Sequence, residues 1–202
     1  MANPALNVSK SLSGRARTIE LYIRRVNEAA EDKVLTNFDL DIAYAGAFLH
    51  WCTALERSLE QLFVGLLTSR LVIRGGVSPL IEVKSDRVAH SILKGDKRYV
   101  DWIPYDHTST RAKAFLSGGR PFTRLERPQL HSLEKTHKLR NAIAHNSAHS
   151  LKVFKSEFVE GAGLPTWQQR PGGYLRGQHS GSQTRIENLI GEGLIVVKIL
   201  CT

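Results

Sequence analysis

The hexapeptide Arg140-Asn141-Ala142-Ile143-Ala144-His145 sets a guanidinium five positions before an imidazole. Together these two groups can do acid–base chemistry on a phosphodiester. An imidazole titrates near neutral pH, so it can take or give a proton. A guanidinium is always charged and offers fixed donors to the extra negative charge of a phosphorane-like transition state. Proton transfer and charge stabilisation of this kind need no metal or other cofactor. The competing reading of the same pair is a surface one, since Arg and His near a helix C-terminus also complement the helix dipole. His145 and His149 have the i, i+4 spacing of helical zinc ligands, yet no carboxylate follows at the expected distance and neither Cys52 nor Cys201 is near in sequence. No metal site is expected.

The segment that must position the pair reads as a helix over about 129–146. On its wheel Leu130, Leu133, Leu139, Ile143 and Ala144 span an apolar arc of about 180°, with Arg140 projecting into the middle of it. A buried guanidinium needs a carboxylate or an anionic ligand. Glu56, at the margin of an earlier helix's apolar face, is the nearest carboxylate by pattern. Arg140 and His145 lie about 140° apart on an ideal helix. The reach of the arginine, a widening at the helix end, or a second copy across a dimer axis must therefore close the gap. His137, Asn141, His145 and His149 recur every four residues. If the helix continues to His149, Asn141 can bond His145 from one turn below and fix its tautomer. Arg120, Arg124, Arg127, Lys135 and Lys138, with His137, run into this helix and are candidate RNA contacts; the alternative is a solvated basic face.

The elements around it are helical too. Ile19, Tyr22, Ile23, Val26 and Ala30 predict a helix over about 13–30, with Glu20, Arg24 and Glu28 on the opposite face. Tyr44, Phe48, Trp51, Leu55, Leu59, Leu62 and Leu66 predict a long helix over about 41–69, capped by Asp39 or Asp41. A short amphipathic segment near 86–93 and a helix near 108–116 follow. Between them lies an aromatic loop, Tyr99-Val100-Asp101-Trp102-Ile103-Pro104-Tyr105. The stretch 161–183 is rich in Gly, Pro, Ser and Gln and reads as a surface loop. A last helix over about 182–200 has an end, Leu194-Ile195-Val196-Val197, that also suits a strand.

At 202 residues, length predicts a single domain, its core over about 13–150, with a loop and C-terminal helix over 151–202. A formal charge of +9 favours a polyanionic partner, nucleic acid first. Two separate cysteines suggest a reducing compartment. No apolar stretch is long enough for a membrane span, so a cytoplasmic protein without a membrane partner is expected. No Walker or Rossmann phosphate loop is present, which removes the usual nucleotide-hydrolysing and dinucleotide-binding classes.

The motif itself resembles the R-x(4–6)-H signature of HEPN domains. The likeness extends in order through Phe48-Leu49-His50-Trp51, the run from Ala54 to Phe63, Asp101-Trp102-Ile103-Pro104-Tyr105-Asp106, and Gly119-Arg120-Pro121-Phe122, ending at Arg140–Ser147. This series, over most of 40–150, is similar to the RiboL-PSP-HEPN branch; 151–202 match more weakly. The resemblance implies an all-α up-and-down bundle that dimerises and brings two motifs into one cleft. It implies a metal-independent endoribonuclease of a toxin–antitoxin or anti-phage system. Arg140 and His145 would then be its catalytic pair, with Asn141 the polar residue inside the motif and Glu56 the acidic residue of the early helix. Such a protein would have RNA as substrate, a second copy as partner, and an antitoxin or other defence component as a further one. The alternative reading is a non-catalytic HEPN module that binds nucleotide or RNA or serves assembly.

Overall fold

The computed structural model describes residues 3–202, and the fold is all-α. Eight α-helices make up the described chain: α1 (Leu6–Glu31), α2 (Asn37–Leu67), α3 (Asp86–Lys94), α4 (Tyr105–Phe115), α5 (Arg127–His145), α6 (Ala148–Phe154), α7 (Pro171–Arg176) and α8 (Arg185–Cys201). Two minimal sheets accompany them. Strands β1 (Asn3–Pro4) and β2 (Leu71–Val72) pair in parallel, and β3 (Gln178–Ser180) and β4 (Gln183–Thr184) form an antiparallel hairpin. None of the described helices is long and apolar enough to cross a membrane.

The chain divides into two compact units that interleave in sequence. One comprises Met1–Ser13, Ala54–Glu134 and Gly193–Thr202, the other Gly14–Thr53 and Lys135–Glu192. Both α2 and α5 contribute residues to each.

The first unit is built on the second half of α2. Leu55, Leu59, Leu62, Phe63, Leu66 and Leu67 are fully buried there at helical spacing. Phe63 packs against Trp102 (ring centroids 5.4 Å apart) and Phe122 (5.1 Å). Trp102, Ile103 and Tyr105 of the aromatic loop are thus part of the core, while Tyr99 stays exposed. Two hydrogen bonds tie the loop down: Thr108 Oγ1 donates to the Trp102 carbonyl (2.8 Å), and the loop's own Tyr105 Oη donates to the Phe122 carbonyl (2.9 Å). The Arg111 guanidinium lies over the Trp102 ring and donates to the Asp101 carbonyl.

In the second unit, α1 buries Ala16, Ile19, Ile23 and Val26, and α2 buries Tyr44, Ala47, Phe48 and Trp51. Tyr44 Oη donates to Asn27 Oδ1 at 3.0 Å, joining the two helices. Thr36, rather than Asp39 or Asp41, caps α2. Its Oγ1 accepts from the Asp39 N–H (3.2 Å), and Asp39 Oδ2 accepts in turn from the Thr36 N–H (2.8 Å). The Thr36 hydroxyl also donates to Asp39 Oδ2 (2.6 Å), and this bond, with that from the Thr36 N–H, holds the Asp39 carboxyl below the ordinary carboxylate range. Thr184 and Glu187 repeat the arrangement at the start of α8. Asp41 instead points inward, where it meets Arg170 at 2.7 Å and Arg176 at 3.8 Å.

Several boundaries differ from the sequence reading. Helix α1 begins at Leu6 rather than near 13, because Val8 and Leu12 continue its buried face. The stretch 161–183 is not an open loop. It holds a 3-10 turn (Thr166–Gln168), α7 and the β3–β4 hairpin. Its order comes from contacts outside the stretch: Tyr174 packs edge-on against Phe154 (5.8 Å) and Phe158 (5.2 Å). Glycine is required at two adjacent positions of α7. A Cβ at Gly172 would clash with the Asp41 carbonyl, and one at Gly173 with the Trp167 carbonyl. The end of α8 is helical through Cys201, which resolves the helix–strand ambiguity in favour of helix.

Candidate active site

Helix α5 carries the motif to its last turn. Its buried face is formed by Ser132, Leu133, Thr136, Leu139 and Ala142. That face is displaced from the expected arc: Leu130 and Ala144 are exposed, and two hydroxyl residues take inward positions. Arg140 therefore sits half-buried at the edge of the face, not in its middle. A guanidinium there keeps access to solvent and to ligands, which lowers the cost of its charge.

The helix stops at His145. Asn146 takes a left-handed conformation (φ 45°), a shape that Asn tolerates better than most residues. Ser147 then caps α6 through a reciprocal pair of bonds with Ser150. His149 consequently belongs to α6, and the four-residue stripe expected along one helix ends at His145. Among the described residues, no group of three or more His, Cys, Asp or Glu side chains is arranged to hold a metal ion.

What this geometry assembles is a row of four side chains. Arg140 Nη1 donates to Asn141 Oδ1 at 3.1 Å and lies 3.3 Å from His145 Nε2. Asn141 Nδ2 lies 3.0 Å from His137 Nε2. The polarity of the row follows from what each group can do. A guanidinium has no lone pair, so in this contact Arg140 is the donor and His145 Nε2 the acceptor. With Asn141 Oδ1 taken by Arg140, its amide nitrogen donates to His137, which accepts at Nε2 as well. Arg140 thus spans the angular gap to His145 within one chain. Asn141 reaches His137 and Arg140, not His145 as the wheel suggested, because a residue midway in a four-residue stripe has a histidine one turn away on either side. The amide holds Arg140, and Arg140 holds His145.

The remaining residues singled out from the sequence are more scattered. Lys135 is exposed on α5. Lys138 Nζ pairs with Glu157 Oε1 at 2.9 Å, which offsets part of the basic run. Arg120 and Arg127 are exposed and Arg124 half-exposed; all three lie in the first unit, as does the half-buried Glu56. His137, Lys138 and Lys135 share the second unit with the motif.

One group of residues in the unit that holds the motif was not singled out from the sequence. Lys155, Trp167 and Arg170 line a concavity of the second unit, and the Gly- and Pro-rich stretch around Trp167 and Arg170 hid those two. The signal that marks them is an exposed tryptophan flanked by cations.

No protein-family model, curated protein or solved structure matches the chain.

Proposed function

We propose that the chain is a metal-independent endoribonuclease, cleaving RNA through attack of the 2′-OH on the neighbouring phosphodiester to leave 2′,3′-cyclic phosphate and 5′-OH ends. The observation that carries this reading is the Arg140 guanidinium resting 3.3 Å from Nε2 of the exposed His145, with Asn141 bonded behind it. A positive charge beside an imidazole lone pair is the pairing that such a reaction needs.

The chemistry follows from the donor inventory. In the free protein the His145 Nε2 lone pair is engaged by Arg140. A phosphodiester offers the guanidinium a stronger, bidentate acceptor. Binding therefore draws Arg140 onto the phosphate and uncovers Nε2 as a base. His145 takes the 2′-OH proton as the 2′-oxygen bonds to phosphorus. Arg140 stabilises the added charge on the non-bridging oxygens. The bond from phosphorus to the 5′-oxygen then breaks, and that oxygen takes a proton from an imidazolium. In a homodimer with two motifs facing one cleft, a second copy supplies that acid, so base and acid are separate groups. Lys135, exposed in the same unit as the motif, fits the role of a contact to a flanking phosphate. The resemblance of the ordered motif series supports a place among toxins or anti-phage defence proteins acting on cytoplasmic RNA, held in check by an antitoxin or other partner.

The test is incubation of the purified protein with mixed RNA in excess EDTA, followed by analysis of the product ends. Cleavage leaving cyclic phosphate and 5′-OH termini is the expected result. Intact RNA, or products bearing 5′-phosphate, would overturn the reading and favour a module that binds nucleotide or RNA without cutting it.

A further inference from the structure

A concavity of about 770 Å³ opens in the second unit beside the π-helical turn Lys155–Val159 and the 3-10 turn Thr166–Gln168. Its size suits a small-molecule or nucleotide site. One wall is Trp167. Trp51 and Trp102 are buried at 0 % and 4 % exposure, whereas Trp167 is 39 % exposed. This exposed indole is not loose. The Arg176 guanidinium lies 4.6 Å from its ring centroid and is itself held by Asn37 Oδ1 at 3.1 Å and by Asp41. The Trp167 carbonyl abuts Gly173 so closely that no side chain fits between them. The ring is thus fixed from behind and still reaches the concavity.

The polar groups around the indole are of two kinds. Lys155 and Arg170 supply cations, and Arg170 is anchored on the buried Asp41 at 2.7 Å while more than half of its side chain remains in solvent. Glu160 and Gln169 supply acceptors: Gln169 spends its amide nitrogen on the Leu164 carbonyl (2.9 Å), which leaves Oε1 to accept from a ligand. A flat aromatic face, two cations and two acceptors match the parts of one nucleotide. The base stacks on the indole, its exocyclic amine meets the acceptors, and its phosphate meets the cations.

The Lys138–Glu157 pair ties the π-helical turn to α5 two turns before His145. Helix α6, with seven residues, separates the Asn146 turn from Lys155 and is roughly 10 Å long. At a stacked rise of about 3.4 Å per nucleotide, that is a span of about three nucleotides.

We propose that this concavity is a subsite for one amino-bearing nucleotide of a single-stranded RNA, its base stacked on Trp167 and its phosphate held by Lys155 and Arg170, a few nucleotides from the bond presented to His145. The assignment of RNA as the source rests on the function proposed above.

The experiment uses the full chain carrying His145→Ala, so that the RNA stays intact. Fluorescein-labelled oligocytidylate is titrated while both anisotropy and tryptophan emission are read. Binding should quench the emission of Trp167, since the other two indoles are shielded. Trp167→Leu and Lys155→Glu should each weaken binding by about tenfold. Trp167→Phe should recover most of the loss, which separates stacking from a folding defect, and oligouridylate should bind more weakly. Saturated anisotropy without quenching would overturn the subsite, as would wild-type affinity in Trp167→Leu and Lys155→Glu. Equal affinity for oligouridylate would overturn the amine contact. Quenching by cytidine monophosphate without oligonucleotide binding would overturn RNA as the source. The two proposals fail separately: cleavage by the unmutated chain without quenching sinks only the subsite, and quenching without cleavage sinks only the ribonuclease.

Discussion

Arg140 holds two partners with one nitrogen, and the planar fork of its guanidinium is what allows this. A lysine at this position would keep the charge but lose the geometry. Arg140→Lys is therefore expected to retain RNA binding and to lose cleavage by about 10²-fold or more, the scale seen when a fixed transition-state donor is removed. The measurement is single-turnover cleavage with the binding constant determined in parallel. A rate within a few-fold of the unmutated protein would show that charge alone suffices. The sequence expected Arg140 and His145 to work together, and the structure places them 3.3 Å apart. The wiring around them was not legible in the sequence. Asn141 is four residues from both His137 and His145, and spacing cannot say which it will face. The choice is made by the helix end at His145 and by Arg140 folding across it.

The long helices were the legible elements. Apolar residues at three- and four-residue spacing mark α1, α2 and α5, and their observed centres agree with that reading even where their ends moved. The short elements were hidden, because a helix of six or seven residues is too short to be stable by propensity alone. Helices α6 and α7 exist through distant contacts, namely the Phe154–Phe158–Tyr174 ring cluster and the Asp41–Arg170–Arg176 ion pairs. None of these pairings can be seen from local composition. The burial of Ser132 and Thr136 was hidden for a related reason, since a hydropathy pattern assigns hydroxyl residues to the outside. A prediction follows for α7. Gly172→Ala pushes a methyl group into the Asp41 carbonyl, a rigid backbone neighbour, and should destabilise the protein by about 1–3 kcal/mol. Urea denaturation reads this directly. An unchanged midpoint would mean that α7 shifts away at no cost.

At the scale of the whole molecule, several acidic groups are buried in their neutral form. Burial pushes the Cys201 thiol up to about 11 and raises the phenols of Tyr44, Tyr105 and Tyr174 above their ordinary value. In the unfolded chain these groups ionise at about pH 9 for the thiol and about pH 10 for the phenols. Because the folded state keeps its protons to higher pH, the unfolded state is favoured as pH rises through that range. Stability should be unaffected by these groups below about pH 9 and should fall between about pH 9 and 11. Thermal unfolding at pH 8 and pH 10.5 tests this, and an equal Tm at both would contradict it. The same burial keeps Cys201 a poor nucleophile, in keeping with a structural role at the end of α8. A net charge of +9 gives the molecule a second dependence on conditions, since any RNA affinity must weaken as salt rises. The central claim, that His145 moves the proton in RNA cleavage, is tested most directly by the cleavage rate of His145→Ala beside the unmutated protein on one RNA in EDTA. The side chain is exposed at a helix end, so its removal should leave the fold intact. The account predicts that the rate falls by about 10²–10⁴-fold while RNA binding and the Tm stay unchanged. Cleavage that persists at the original rate in His145→Ala would contradict it.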